Sequence, residues 1–219
     1  MNIAGLLKTA TIDFPHRLAA VVFTAGCNYD CGFCHNRELL TTKELMDEKE
    51  VWRFLEKRAG LLDGIVISGG EPTLQEDLPE FAQRLKELGY DVKLDTNGSA
   101  PQVVEEMLRR GCVDYVAMDY KAPFELYTQV CGHDASGVEQ TLELLRGATV
   151  EWELRTTVIP ELSEKDLLRM AQGVEELPAY ALQLYRPVRV ERKKVYSAQD
   201  IVNFAEKLRQ YQKNIFPRC

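Results

Sequence analysis

The chain holds 219 residues, with 34 acidic against 27 basic side chains and a formal net charge of -7. Hydrophobic residues make up 45% and charged residues 28%, the balance of a globular fold with a substantial core. The acidic balance argues against a nucleic-acid-binding surface, which needs a basic patch, and no apolar run reaches the ~20 residues of a membrane span.

The opening, Met1 to Lys8, has too short an apolar part for an export signal and no cleavage pattern, so a cytoplasmic location is expected. The first strand is expected at 18–24, because Leu18 to Phe23 is an apolar run. It leads into Thr24-Ala-Gly-Cys-Asn-Tyr-Asp-Cys-Gly-Phe-Cys-His-Asn36, where Cys27, Cys31 and Cys34 have the spacing Cys-x3-Cys-x2-Cys. Three thiolates on one short loop can wrap a corner of an iron–sulfur cube and leave its fourth iron open for a ligand. The alternative is structural zinc, which wants four protein ligands. His35 adjoins Cys34 and is badly placed to complete a tetrahedron, while His16 and His133 are distant candidates. A disulfide needs an oxidising compartment, to which nothing points. Cys112, Cys131 and Cys219 are scattered and read as core or surface thiols.

Asp47 and Glu50 suggest a capping box for a helix carrying Val51, Phe54 and Leu55 on one face. A second strand at 64–68 ends in Gly69-Gly-Glu-Pro72 and is followed by a helix over 78–88 with Gly89 as its stop. A third strand at 91–95 runs into Thr96-Asn-Gly98, and Pro101 opens a helix that Gly111 closes. The fourth strand is expected at 115–119, with a helix at 138–145 after a longer loop. The fifth is expected at 150–159, with Ser163 capping a helix to about 176. The sixth is expected at 181–185, before a last helix over 198–212 that buries Ile201, Phe204, Ala205, Leu208 and Tyr211.

Six strand–helix units in a row imply an α/β fold of parallel strands in one domain spanning 1–219. An open doubly wound sheet and a partial barrel both satisfy the pattern. In either, Cys27 to Cys34, Gly69 to Glu71, Asp95 to Asn97, Asp119 to Lys121 and Tyr185 fall at the carboxyl ends of strands, the rim where active sites collect. Gly69 and Gly70 bare the main chain for a ligand, or serve only a turn. Glu71 offers a carboxylate to an ammonium group. Asp95 and Thr96 could give oxygens to a cation or a ligand, or belong to an ordinary turn made with Asn97 and Gly98. Asp119 and Lys121 could contact a ligand or pair with each other. Arg155, inside the fifth strand, calls for a carboxylate partner.

The cysteine triplet with Phe33 before its last member, followed by Gly69-Gly-Glu-Pro72 after the second strand, resembles the radical S-adenosylmethionine superfamily. Within it, Gly26-Cys-Asn, Cys34-His-Asn, Asp95-Thr-Asn-Gly98 and Asp119-Tyr-Lys121 resemble the activating enzymes of glycyl-radical enzymes. The opening from Gly5 through Ile12-Asp-Phe-Pro15 to Gly26 is similar to the family of anaerobic ribonucleoside-triphosphate reductase activating proteins.

The resemblance implies a partial (β/α)6 barrel in which Cys27, Cys31 and Cys34 ligate a [4Fe–4S] cluster and S-adenosylmethionine chelates the open iron. It implies that Gly69, Gly70 and Glu71 hold the methionine amino end, with Asp119 and Lys121 nearby. Phe33 and the sixth strand around Leu184 and Tyr185 would line the adenine pocket, and Asp95, Thr96 and Asp119 match the ligands of a monovalent cation. The implied reaction is reductive cleavage of S-adenosylmethionine that leaves a glycyl radical on a partner enzyme, anaerobic ribonucleotide reductase by this likeness, with flavodoxin or ferredoxin as electron donor. The chain departs from many such activases in having no cysteine between Cys34 and Gly64, so their ferredoxin-like insert is absent. Tyr120 stands where relatives often have an aliphatic residue. The competing readings are a pyruvate formate-lyase-type activase, a small-molecule enzyme such as a 7-carboxy-7-deazaguanine synthase, and a non-enzymatic zinc module.

Overall fold

The structure is a computed structural model that describes residues 1–187 and 195–219. In chain order the strands are β1 (Ile3–Ala10), β2 (Ala19–Thr24), β3 (Gly64–Gly69), β4 (Asp91–Thr96), β5 (Tyr115–Asp119), β6 (Glu151–Val158), β7 (Tyr180–Leu184) and β8 (Ile215–Arg218). The helices are α1 (Glu48–Arg58), α2 (Leu78–Glu87), α3 (Pro101–Arg110), α4 (Tyr127–Cys131), α5 (Ser136–Arg146), α6 (Glu164–Gln172) and α7 (Ala198–Leu208). The chain divides into two compact units, one of residues 1–28, 36–117 and 136–151, the other of 29–35, 118–135 and 152–219.

In the first unit β1 pairs antiparallel with β2, and β2 pairs parallel with β3, in register from Ala19 opposite Gly64 to Thr24 opposite Gly69. β3 pairs parallel with β4. The start of β5 joins through the Asp114 N–H, which donates to the Val92 carbonyl at 2.8 Å. Val21, Val66, Phe14, Tyr115 and Ala117 form one buried cluster with Ala10 and Ala19, and Ile65, Ile67, Val92 and Leu94 are fully buried. A buried strand explains why β3 reads as a continuous apolar run and does not alternate. Each such side chain contributes about 1.5–3 kcal/mol on burial. On α1 the Asp47 carboxylate caps the helix by accepting from Lys49 N–H at 2.9 Å, where a capping box with Glu50 was expected, and Gly111 closes α3 in the left-handed region at φ +63°.

In the second unit the end of β5, β6, β7 and β8 follow in chain order. β6–β7 and β7–β8 pair parallel, and Tyr120 N–H donates to the Arg155 carbonyl at 2.8 Å. Ser163 with Asp166 and Ser197 with Asp200 form complete capping boxes on α6 and α7. Gln212 is buried; its Nε2 meets the carbonyls of Ala171, Val174 and Glu175, and its Oε1 accepts from Leu177 N–H at 3.0 Å. It satisfies main-chain groups that the end of α6 leaves open.

The parallel α/β class and all six expected strands are present, each within two residues of the expected bounds at its ends. β1, β8 and α4 were not expected. β1 lacks alternation, and β8 carries Pro217, a residue confined to edge strands. α6 stops at Gln172, before Gly173, several residues short of expectation. α7 stops at Leu208, which leaves Tyr211 38% exposed and not in the core.

Candidate active site

Gly69 and Gly70 at the end of β3 lie against the loop that leads to Cys27. Gly70 N–H donates to the Thr24 carbonyl at 2.9 Å, and Glu71 N–H to the Gly26 carbonyl at 2.8 Å. A Cβ on Gly70 would sit 1.9 Å from the Gly26 oxygen, and one on Gly69, held at φ +124°, 2.3 Å from the Thr24 nitrogen. Only glycine permits this approach of two main chains. Gly26 N–H donates to the Leu39 carbonyl at 2.8 Å, and Asn36 Nδ2 to the Gly69 carbonyl at 3.1 Å, so the segment after the cysteines is also tied to this turn.

Glu71 is buried, and its carboxylate is committed to the protein. Oε1 accepts from the Thr73 hydroxyl at 2.6 Å, the Thr73 N–H at 3.1 Å and the Thr96 hydroxyl at 2.7 Å, and Oε2 from the Asn97 N–H at 2.6 Å. Burial pushes its pKa up, and these donors pull the other way. The carboxylate therefore fastens the end of β3 to the end of β4. Asn97 extends the bracket: its Nδ2 lies 2.9 Å from Asn28 Oδ1 and 3.9 Å from Cys27 Sγ, a distance at which an amide can donate weakly to sulfur. Asn28 Nδ2 donates to the Ser99 hydroxyl at 2.8 Å. Of the expected cation ligands, Asp95 accepts from Lys93 Nζ at 2.5 Å and the Thr96 hydroxyl is directed to Glu71.

The second unit holds Cys31 and Cys34 in one turn, with Cys34 N–H donating to the Cys31 carbonyl at 3.1 Å. Cys131, at the end of α4, lies beside Cys31 and lowers its pKa against the opposing effect of burial, with Lys121 lowering it further. The same pairing, with burial, raises the Cys131 pKa. Lys121 Nζ pairs with Asp119 at 2.9 Å and stands 5.9 Å from the centre of the Phe33 ring. Arg155 Nε meets the other Asp119 oxygen at 2.9 Å, the carboxylate partner that its place in β6 called for. Burial opposes ionisation of Asp119, but Arg155 and Lys121 outweigh it and bring its pKa down to about 2. Burial likewise opposes the Lys121 charge, and Asp119 with Cys31 outweighs it, so its pKa is raised.

Phe33 and Tyr185 line one cavity of about 270 Å3 with Gly32, Gln129, Val130, Ile159 and Glu161. The sequence singled out the two aromatic residues; Gln129, Ile159 and Glu161 carried no motif and sit here because β6 and α4 end at this place. His35 stacks edge-on against Tyr185, with ring centres 6.1 Å apart. Among the described residues no three His, Cys, Asp or Glu side chains form a group that could hold a metal ion, so the cluster reading rests on the spacing and on donor chemistry. The chemistry fits: Cys27 Sγ lies within reach of an amide donor, as sulfurs bound to iron commonly do.

These features define a class of enzyme. The chain belongs to the radical SAM superfamily, whose family model matches residues 21–174. Its parallel strands with intervening helices are the α/β fold class of that superfamily. It is 37% identical over 194 residues, covering 84% of this chain and 80% of the relative, to a putative glycyl-radical enzyme activating enzyme of Methanocaldococcus jannaschii. It is 27% identical over 191 residues to the pyruvate formate-lyase-activating enzyme of Clostridium pasteurianum, covering 80% of this chain and 77% of that one. Among solved structures, SuiB of Streptococcus suis superposes with a TM-score of 0.73 at 17% identity, over 91% of this chain and 48% of SuiB. Membership implies a [4Fe–4S] cluster and S-adenosylmethionine. Among the described residues no helix is long and apolar enough to cross a membrane.

Proposed function

We propose that the chain is a glycyl-radical-enzyme activase acting on anaerobic ribonucleotide reductase. The observation that carries the activase class is the 37% identity to an activating enzyme across most of both chains. The choice of partner rests on the opening segment and on the cysteine-free stretch between Cys34 and Gly64, a pattern that a pyruvate formate-lyase-type activase would share.

In this reading Cys27, Cys31 and Cys34 hold the cluster. When bound, the cluster and S-adenosylmethionine supply a one-electron cleavage of the sulfonium and the removal of hydrogen from a glycine of the partner, with flavodoxin or ferredoxin as the electron source. The main chain of Gly69 and Gly70 receives the amino end of the methionine. Glu71 acts from behind, its carboxylate fixing the turns that present that main chain. Phe33 and Tyr185 give the adenine an aromatic cavity, and Lys121 with Asp119 supplies fixed charge beside it. A monovalent cation at Asp95, Thr96 and Asp119 would compete with Lys93 for Asp95 and share Asp119 with Lys121 and Arg155.

The test is anaerobic reconstitution followed by mixing with S-adenosylmethionine, a reductant and purified anaerobic ribonucleotide reductase. A glycyl-radical signal in electron paramagnetic resonance is the expected result. Cofactor cleavage with a glycyl signal only on pyruvate formate-lyase would replace the partner. Cleavage with neither would overturn the activase, and a colourless zinc-loaded protein the whole reading.

A further inference from the structure

Asn97 follows β4 directly and is buried. Its main-chain N–H donates to Glu71 Oε2 at 2.6 Å, and its side-chain Oδ1 accepts from Ser99 N–H at 2.9 Å. A main-chain N–H can only donate, so the side-chain amide cannot be turned over, and Nδ2 faces away from Ser99 N–H. An amide nitrogen carries two hydrogens. One is directed to Asn28 Oδ1 at 2.9 Å, and Cys27 Sγ lies 3.9 Å from the same nitrogen. Asn28 Nδ2 donates to the Ser99 hydroxyl at 2.8 Å, which leaves its Oδ1 facing Asn97. The sulfur is held as firmly as the amide. Glu71 N–H donates to the Gly26 carbonyl at 2.8 Å, immediately before Cys27, while the Glu71 carboxylate grips the Asn97 main chain. One residue therefore fixes both partners of the N–H to sulfur contact. An ordinary turn uses the backbone of Asn97 and Gly98 and has no need of a side-chain amide that reaches the cysteine loop.

A sulfur bonded to iron still accepts hydrogen bonds, and such bonds are among the interactions that set a cluster's reduction potential. The reduced cluster carries one more negative charge than the oxidised one, so a donor at its sulfur favours the reduced state. We propose that Asn97 is a positioning residue that donates its second amide hydrogen to the Cys27 sulfur and makes the cluster easier to reduce by one electron. The inference rests on Cys27, Cys31 and Cys34 holding the cluster. It gives the Asn-Gly turn after β4 a role beyond reversing the chain.

The experiment is a redox titration of the anaerobically reconstituted enzyme, followed by electron paramagnetic resonance, for the parent, Asn97→Leu and Asn28→Ala. Leucine keeps the volume and removes the donor. Asn28→Ala cuts the bracket but leaves the Asn97 amide beside Cys27, so it separates the donor from a general loosening of the turn. The one-electron reduction equilibrium is expected to fall about fivefold in Asn97→Leu, a shift of about 40 mV at about 59 mV per tenfold, and to stay near the parent in Asn28→Ala. An unchanged midpoint in Asn97→Leu, or an equal fall in both variants, would overturn the proposal. If either variant takes up no cluster, nitrogen-15 placed in the asparagine side-chain amides of the parent decides. The Asn28 and Asn36 amides donate to oxygen, at Ser99 and Gly69. A labelled nitrogen weakly coupled to the reduced cluster in pulsed electron paramagnetic resonance therefore supports the proposal, and no coupling overturns it. A parent protein with no cluster at all would count instead against the superfamily chemistry, which separates the two failures.

Discussion

Gly70→Ala tests whether the close approach at the end of β3 holds the cysteine loop in place. The new Cβ would lie 1.9 Å from the Gly26 oxygen and 2.6 Å from its carbonyl carbon, where an unstrained contact needs about 3.5 Å. Neither neighbour is a flexible side chain, so one main chain must retreat by roughly 1.5 Å. That movement breaks the Glu71 N–H bond to Gly26 and strains the Gly70 N–H bond to Thr24. Two main-chain hydrogen bonds at about 1 kcal/mol each, with about 1–3 kcal/mol of local strain, give a loss of about 3–5 kcal/mol. For a chain of this length that lowers the melting temperature by roughly 10 °C. Gly147→Ala serves as the control, since its Cβ would meet nothing nearer than 3.7 Å. The assay is denaturant unfolding of the apo-protein, with iron counted after anaerobic reconstitution. A Gly70→Ala protein as stable as the Gly147→Ala control, and equally loaded with iron, would refute the reasoning.

Thr96→Val keeps the side-chain shape but removes the hydroxyl that donates to Glu71 and accepts from Gly98 N–H; it should cost about 1–3 kcal/mol in urea unfolding, with Thr96→Ser close to the parent. Asp119 has a folded-state pKa of about 2 against an ordinary 3.8, so its pairing stabilises the fold above the higher value and that stability is lost as pH falls toward the lower. The contribution is about 2 kcal/mol. Asp119→Asn should be less stable than the parent at neutral pH, and the gap should narrow between about pH 4 and pH 2 in acid unfolding curves.

The candidate site residues stood out because each sits in a short local pattern: cysteines at fixed spacing, glycines ahead of Glu71, an Asn-Gly turn after Thr96. Strand positions were legible because buried parallel strands are continuous apolar runs. What was hidden depends on partners distant in sequence. Nothing around Glu71 announces that its carboxylate is spent on Thr96 and Asn97, more than twenty residues away. Cys131 read as a core or surface thiol, and it is fully buried at the end of α4. α4 was missed for its shortness, its stability coming from tertiary packing of Tyr127 and not from its own periodicity. The pairing of Asp95 with Lys93, two positions away on the same face of β4, was likewise not read from the sequence.

Pro217, at the middle of β8, sits opposite Leu182 and has no amide hydrogen to offer on either side. A ribbon with such a gap is a poor template for recruiting a neighbouring molecule's backbone, so β8 discourages the ladder growth through which sheet proteins gel and form fibrils. Replacing this imino acid with valine would restore the missing donor, and concentrated samples should then associate more readily.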